Sequence, residues 1–199
     1  MEKNYNEKPK QKRALETRKK LITAAEQLFN KKGFYDTTSK DIAKEAGVSI
    51  GIFYNYFKDK SKIYYECLNL GYDDDNSKII ELLKKLFDEE DDLKTKIYSY
   101  LYDVLLKIRS KIKIVMERDR IMADYPEINE LIKRCDEEII KEIENYFSGE
   151  DSEVIAQLIV ETTNRNAIVV SSMEDSKKQE KYIEYLAEML SCFFERFKK

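Results

Sequence analysis

Histidine is absent from this 199-residue chain, and its three cysteines, Cys67, Cys135 and Cys192, lie far apart. The odd number and wide spacing leave no zinc-ligand cluster and no Cys-His or Ser-His nucleophile, so neither a metal nor a cofactor is expected and an enzyme is disfavoured. Each cysteine fits a helix face as a small apolar residue, with exposure and oxidation the alternative for Cys192 near the C-terminus. The acidic run DEEDD at 88–92 reads as a solvated turn at a helix junction, not as a metal cage. No uninterrupted hydrophobic stretch is long enough to span a bilayer, and the first residues lack the apolar core of a signal peptide. The expectation is a cytoplasmic protein with no membrane partner.

Glycine and proline are also scarce, at five and two residues, so helices have few breakers to interrupt them. Apolar residues recur at helical spacing almost to the end, and the chain reads as all-α. Residues 1–16, with Lys3, Lys8, Lys10, Lys12 and Arg13, lack apolar periodicity and read as a mobile basic arm, either a disordered leader or a contact for a polyanion. An amphipathic helix follows from Thr17 to Lys32, with Leu21, Ile22, Ala24, Ala25, Leu28 and Phe29 on one face and Gly33 as its stop. After the segment 37–57, a helix is expected from Lys60 or Ser61 to about Phe87, with a break near GYDDDN at 71–76. Further helices are expected at about Asp92–Ile108, Lys111–Arg120, Pro126–Phe147, Ser152–Met173 and Lys177–Phe197, with SGEDS at 148–152 as the clearest hinge.

The most informative stretch is TTSKDIAKEAGVSIGIFYNYFKDK, Thr37 to Lys60. Thr38 and Asp41 have the spacing of a helix N-cap and an acidic first turn, and Ile42, Ala43 and Ala46 supply a buried side. Gly47 can enter the left-handed region that ends a helix, and Ser49 can cap the next one after a very short turn. Phe53 and Phe57 are one turn apart, which places Gly51 and Asn55 opposite them, flanked by Ile52 and Tyr54. Two short helices crossing steeply with one outward face describe a helix-turn-helix, and an ordinary helical hairpin is the alternative on the caps alone.

Charge divides the chain in the same way. Through Lys62 there are 15 Lys and Arg against 8 Asp and Glu, while the remainder carries 21 against 31, so a basic head precedes an acidic body. A basic head releases condensed counterions from phosphates and binds DNA with steep salt dependence.

The segments TRKKLITAAEQLFNKKGFYDTT and DIAKEAGVSIGIFYNYFKDK, about Thr17 to Leu68, resemble the TetR (tetracycline-repressor-like) family of transcriptional regulators. The resemblance implies a helix-turn-helix head over 17–62 and a helical regulatory and dimerisation domain over 63–199. Carried over by position, it implies that Thr38, Ser39 and Lys40 open the first helix of the motif and that Ser49, Ile50, Gly51 and Ile52 open the recognition helix. Tyr54, Asn55, Tyr56 and Lys60 complete the DNA surface. Lys40 has the chemistry to donate to guanine, whereas Ser39, Tyr54 and Lys60 suit phosphate oxygens. The chain departs from the family pattern at Ile52, where a small hydroxyl residue is usual; Ile50 and Ile52 either touch thymine methyls or one of them packs on the head.

For the body, the resemblance implies a homodimer through the last two helices, whose apolar faces are broad enough for two partners. Val154, Ile155, Leu158, Ile159, Ala167, Ile168, Val169 and Val170 form one face; Ile183, Leu186, Met189, Leu190, Phe193, Phe194 and Phe197 form the other. A two-fold dimer implies a palindromic operator with half-sites about one helical turn or slightly more apart. The resemblance also implies release by a small-molecule effector, with Tyr98, Tyr102, Met116, Met122, Thr163 and Asn164 as candidate lining; core packing is the alternative for each. Three functions therefore stay in view: a ligand-released repressor, a DNA-binding adaptor whose body recruits a protein, and a helical enzyme with a vestigial head. A tightly packed body without a cavity would favour the adaptor.

Overall fold

The computed structural model describes residues 7–71, 81, 84, 92–110 and 112–197. The chain divides into two compact units, one ending at Leu70 and the other starting at Gly71.

The first unit contains α1 (Glu7–Lys32), α2 (Ser39–Glu45), α3 (Ile50–Tyr56) and α4, helical from 60 to 71. Helix α1 starts inside the stretch read as a mobile arm, so residues 7–16 are helical. That segment is rich in Lys, Gln, Arg, Glu, Ala and Leu, whose intrinsic propensity extends a helix already fixed at its apolar end. The apolar stripe itself lies where the periodicity puts it: Leu21, Ala24, Ala25, Leu28 and Phe29 are buried, with Phe34, Ile42, Ala43, Phe53, Phe57, Ile63 and Tyr64. The Tyr64 ring stands edge-on to Phe29 at 5.1 Å between centroids and tilts against Phe34 at 4.9 Å. Ile63 and Tyr64 therefore pack into the core of the first unit, which runs to Leu70.

The second unit contains α5 (Leu93–Ser110), α6 (Ile112–Asp124), α7 (Pro126–Glu144), α8 (Ser152–Ser171) and α9 (Ser176–Phe197). These bounds lie within a few residues of the expected ones. Pro126 sits at the start of α7, where its missing amide costs nothing. Helix α5 packs on α8 and α9, and α7 packs on α6 and α8. The core joins Ile97 and Leu101 of α5, Ile139 and Ile143 of α7, Ile155, Ile159 and Val170 of α8, and Ile183, Leu186, Leu190 and Phe194 of α9. Between α8 and α9, the Tyr182 hydroxyl donates to Asn166 Oδ1, and Gln179 donates to the Val170 carbonyl at 3.0 Å. The expected break at 71–76 lies outside the described residues beyond Gly71, as does DEEDD short of Asp92. No helix among the described residues is long and apolar enough to cross a membrane.

Candidate nucleic-acid interface

The capping box read from Thr38 and Asp41 is closed in both directions. The Asp41 amide donates to Thr38 Oγ1 at 3.1 Å, and the Thr38 amide donates to Asp41 Oδ2 at 3.1 Å. Hydrogen bonds from the Thr38 side chain and backbone hold the Asp41 carboxyl below its ordinary 3.8. It accepts from the Thr38 amide and hydroxyl at the positive end of α2, where a negative charge is favoured.

Helix α2 stops in a Schellman turn. Gly47 has φ of +69°, its amide donates to the Lys44 carbonyl at 3.1 Å, and the Val48 amide reaches back to Ala43 at 3.0 Å. Two residues later Ser49 caps α3, its hydroxyl oxygen accepting from the Ile52 amide at 3.3 Å. A stop and a cap this close leave no room for a wandering loop, so α2 and α3 cross in a fixed turn.

Phe53 and Phe57 are buried, with ring centroids 6.0 Å apart. Helical geometry then turns the other side of α3 outward, and Gly51, Tyr54 and Asn55 are exposed, with Tyr56 half-buried. Ile50 and Ile52 remain 40% and 37% exposed, so neither is absorbed into the head core. On α2, Thr38 and Lys40 are exposed and Ser39 is half-buried. No charged residue occurs in α3. The exposed cationic groups nearest to it in sequence lie in the neighbouring segments: Lys40 and Lys44 of α2, then Lys58 and Lys62 after α3. Lys44, Lys58 and Lys62 were not singled out from the sequence; their charge and spacing from α3 were the available signal.

Lys60, expected as a phosphate contact, has its ammonium turned toward the backbone of the first unit. Its Nζ donates to the carbonyls of Phe34, Tyr35 and Thr37 at 2.8, 3.2 and 2.9 Å and lies 4.5 Å from the Phe34 ring centroid. An ammonium has three donors, and the carbonyls leaving the exit of α1 engage all three. Arg18 is likewise turned to the head, paired with Glu66 at 2.7 Å and 5.6 Å from the Phe57 ring centroid.

The candidate effector residues are only partly brought together. A cavity of about 80 Å³ lies among α5, α7, α8 and α9, lined by residues that include Tyr100, Leu101, Ile143, Ile159, Thr163, Asn164 and Phe194. Of the six candidates, Thr163 and Asn164 line it. Tyr98, Tyr102, Met116 and Met122 do not line it. Ile97 and Leu101 take the inward face of α5, and one residue further on the helix has turned by about 100°, which carries Tyr98 and Tyr102 away from that face. Those two rings stack on each other at 6.2 Å, and Met116 is 68% exposed. Tyr100 was missed; its signal was its place beside Ile97 and Leu101. Pockets for drug-sized ligands measure about 300–1,000 Å³, so this space as it stands suits a far smaller group.

Residues 21–67 match the family described as bacterial regulatory proteins, tetR family. Among curated proteins, the chain is similar to the HTH-type transcriptional regulator HbdR of Aromatoleum sp. (strain CIB), 48% identical over 50 residues. The similar part is 25% of this chain and 22% of that protein, so it covers about a fifth of the relative's length. Among solved structures, a TetR-family transcriptional regulator from Mesorhizobium loti MAFF303099 superposes with a TM-score of 0.66 at 17% identity, covering 94% of this chain and 99% of that one. Salmonella enterica GusR superposes at 0.64 with 20% identity, covering 90% and 95%. Residues 21–67 are thus similar to the helix-turn-helix segment of the bacterial regulatory proteins of the tetR family, and the described chain around them has a TetR-like helical fold.

Proposed function

We propose that the chain is a sequence-specific DNA-binding transcriptional regulator that works in the cytoplasm as a homodimer on a palindromic operator. The observation that carries this reading is the outward face of α2 and α3: capped, joined by a tight turn, apolar at Ile50 and Ile52, and flanked in sequence by exposed lysines. Thr38, Ser39, Lys40, Ser49, Ile50, Gly51, Ile52, Tyr54, Asn55 and Tyr56 form the contact surface. Lys40 supplies a donor for guanine, Asn55 has the amide geometry for adenine, and the two isoleucines meet thymine methyls. Selection of bound sequences from random duplex DNA tests the proposal. It predicts an inverted repeat whose half-sites lie about one helical turn or slightly more apart. Recovery of unrelated sequences, or of a single asymmetric site, would refute it.

Dimerisation is supported by the outer faces of the last two helices. Ile155, Ile159, Ile183, Leu186, Leu190 and Phe194 face the core, while Val154, Leu158 and Val169 of α8 and Tyr185 and Met189 of α9 are exposed. Apolar groups on both sides of each helix fit a four-helix bundle with a second copy. Release by a small-molecule effector requires that molecule to enlarge the cavity beside Thr163 and Asn164 and to bind the enlarged conformer better. The small volume favours a second reading, in which the body recruits a protein partner and has no such effector. Screening small molecules for release of the selected duplex separates the two.

A further inference from the structure

The cage around Lys60 lies within the first unit and is made from the segment that leads into α2. Gly33 turns the chain out of α1, and Phe34, Tyr35 and Thr37 then direct their carbonyls at one point, which the Lys60 ammonium occupies at 2.8, 3.2 and 2.9 Å. Phe34 and Thr37 are fully buried, and the Thr37 hydroxyl donates to the Gly33 carbonyl at 2.7 Å. The Phe34 carbonyl also accepts from the Thr37 amide at 3.3 Å. Thr37 immediately precedes Thr38, the N-cap of α2, so the third carbonyl in the cage belongs to the residue joined directly to the one that starts α2. A lysine swung out toward a phosphate would abandon three charge-assisted hydrogen bonds and the face of the Phe34 ring.

We propose that Lys60 is a positioning residue for DNA recognition: it holds the start of α2 in its DNA-facing place through the carbonyls of Phe34, Tyr35 and Thr37 and makes no phosphate contact itself. This rests on the DNA-reading proposal above. Arginine keeps the charge but spreads its donors over a planar fork, and it cannot aim three of them at one converging set of carbonyls. Charge and cage geometry can therefore be separated by substitution.

The experiment is a salt series of binding to a selected duplex and to an unrelated duplex, with the full chain as wild type, Lys60→Arg and Lys60→Met. Both variants are expected to lose roughly tenfold or more in affinity for the selected duplex, the scale of one charge-assisted hydrogen bond. Their affinity for the unrelated duplex and their salt slope stay at the wild-type values. Rescue by Lys60→Arg together with a slope lowered by about 0.9 in Lys60→Met would identify a phosphate contact and overturn the proposal. Wild-type affinity in folded variants that merely melt earlier would also overturn it, since the cage would then serve stability alone.

A readout without DNA accompanies these titrations. In Lys60→Met, exchange of the hydrogen-bonded amides of Thr38, Asp41 and Ile42 should accelerate, and unchanged exchange there would count against the proposal. If the wild type selects no duplex, the DNA reading fails, and the exchange result still decides whether Lys60 orders the start of α2. If neither variant folds, the Lys60 side-chain nitrogen resonance of the wild type decides: it should keep its position when duplex is added, and a shift on binding would refute the assignment.

Discussion

Two glycines four residues apart should respond to alanine with opposite signs. Gly47 has φ of +69°, and a methyl group added there meets nothing within 4 Å, so Gly47→Ala costs only the backbone strain of the left-handed region. That strain is about 1–2 kcal/mol, offset by about 0.4–1 kcal/mol from the stiffer unfolded chain, for a net loss near 1 kcal/mol. Gly51 lies inside α3 with no positive φ, and its new methyl would sit 3.9 Å from the Ser49 hydroxyl, an ordinary contact. Gly51→Ala should therefore gain about 0.8–1.0 kcal/mol from helix propensity. The two variants then differ by about 2 kcal/mol, or roughly thirtyfold in the opening equilibrium of the head. Native-state amide exchange at Phe53 and Ile42 in the full chain reads that equilibrium for this unit alone. Gly47→Asn should recover part of the loss, because asparagine tolerates the left-handed region. Equal exchange in both alanine variants, or a destabilised Gly51→Ala, would refute the account of the turn. The second of these variants also separates stability from recognition: the added methyl lies on the proposed DNA face, so affinity should fall although the head has become more stable.

Ile50→Ala and Ile52→Ala should each erase a thymine preference worth about 0.8 kcal/mol per methyl-sized contact and leave the salt slope unchanged, as read by repeating the sequence selection with each variant. Leu158→Arg combined with Met189→Arg should shift sedimentation at micromolar concentration from dimer to monomer while the helical signal is retained; a monomeric wild type would refute the bundle. The Asp41 carboxyl, held below its ordinary value by Thr38, contributes stability that is in place above its unfolded pKa and is lost as pH falls through its folded pKa. Wild type and Asp41→Asn should therefore differ in the stability of the head at neutral pH and converge below about pH 4, followed by circular dichroism in mild denaturant. Burial, with Glu26 and Glu66 adding to it, pushes the Cys67 thiol up to about 12. Alkylation at neutral pH should spare Cys67 until the head opens, and mass spectrometry of the labelled peptides would show it.

How far the sequence could be read depended on whether one residue alone determined the outcome. The caps of α2 and α3 and the stop at Gly47 are local decisions: Thr38, Asp41, Gly47 and Ser49 satisfy their neighbours' backbone groups within five residues. The buried stripe of α1 and the inward residues of α8 and α9 were equally legible, because helical spacing defines a face before its partner is known. Lys60 was not, since its three acceptors lie 23 to 26 residues away and converge only after α1 has turned at Gly33. The cavity lining failed for a related reason. Aromatic and methionine residues were favoured for their chemistry, whereas the rotation of α5, fixed by Ile97 and Leu101, decided which of its tyrosines reached the space. The start of α1 was missed because propensity without an apolar stripe leaves no periodic mark.

The withdrawal of Lys60 into its cage has a consequence for how affinity and specificity are divided in the proposed DNA reader. Helix α3 holds no charged side chain, so on that proposal it would contribute shape, thymine contacts and the Asn55 amide but almost nothing to counterion release. The electrostatic part must then come from cations outside it, and Lys40, Lys44, Lys58 and Lys62 are the exposed ones nearest in sequence. Removing any one of these that touches a phosphate should lower the salt slope by about 0.9 and weaken all duplexes alike, whereas changes on α3 should alter which duplex wins at constant slope. A lysine at the start of α4 that changes specificity and not slope would belong with the second group, although its charge suggests the first. Such an outcome would show that position in the backbone, and not side-chain type, assigns a residue to affinity or to reading.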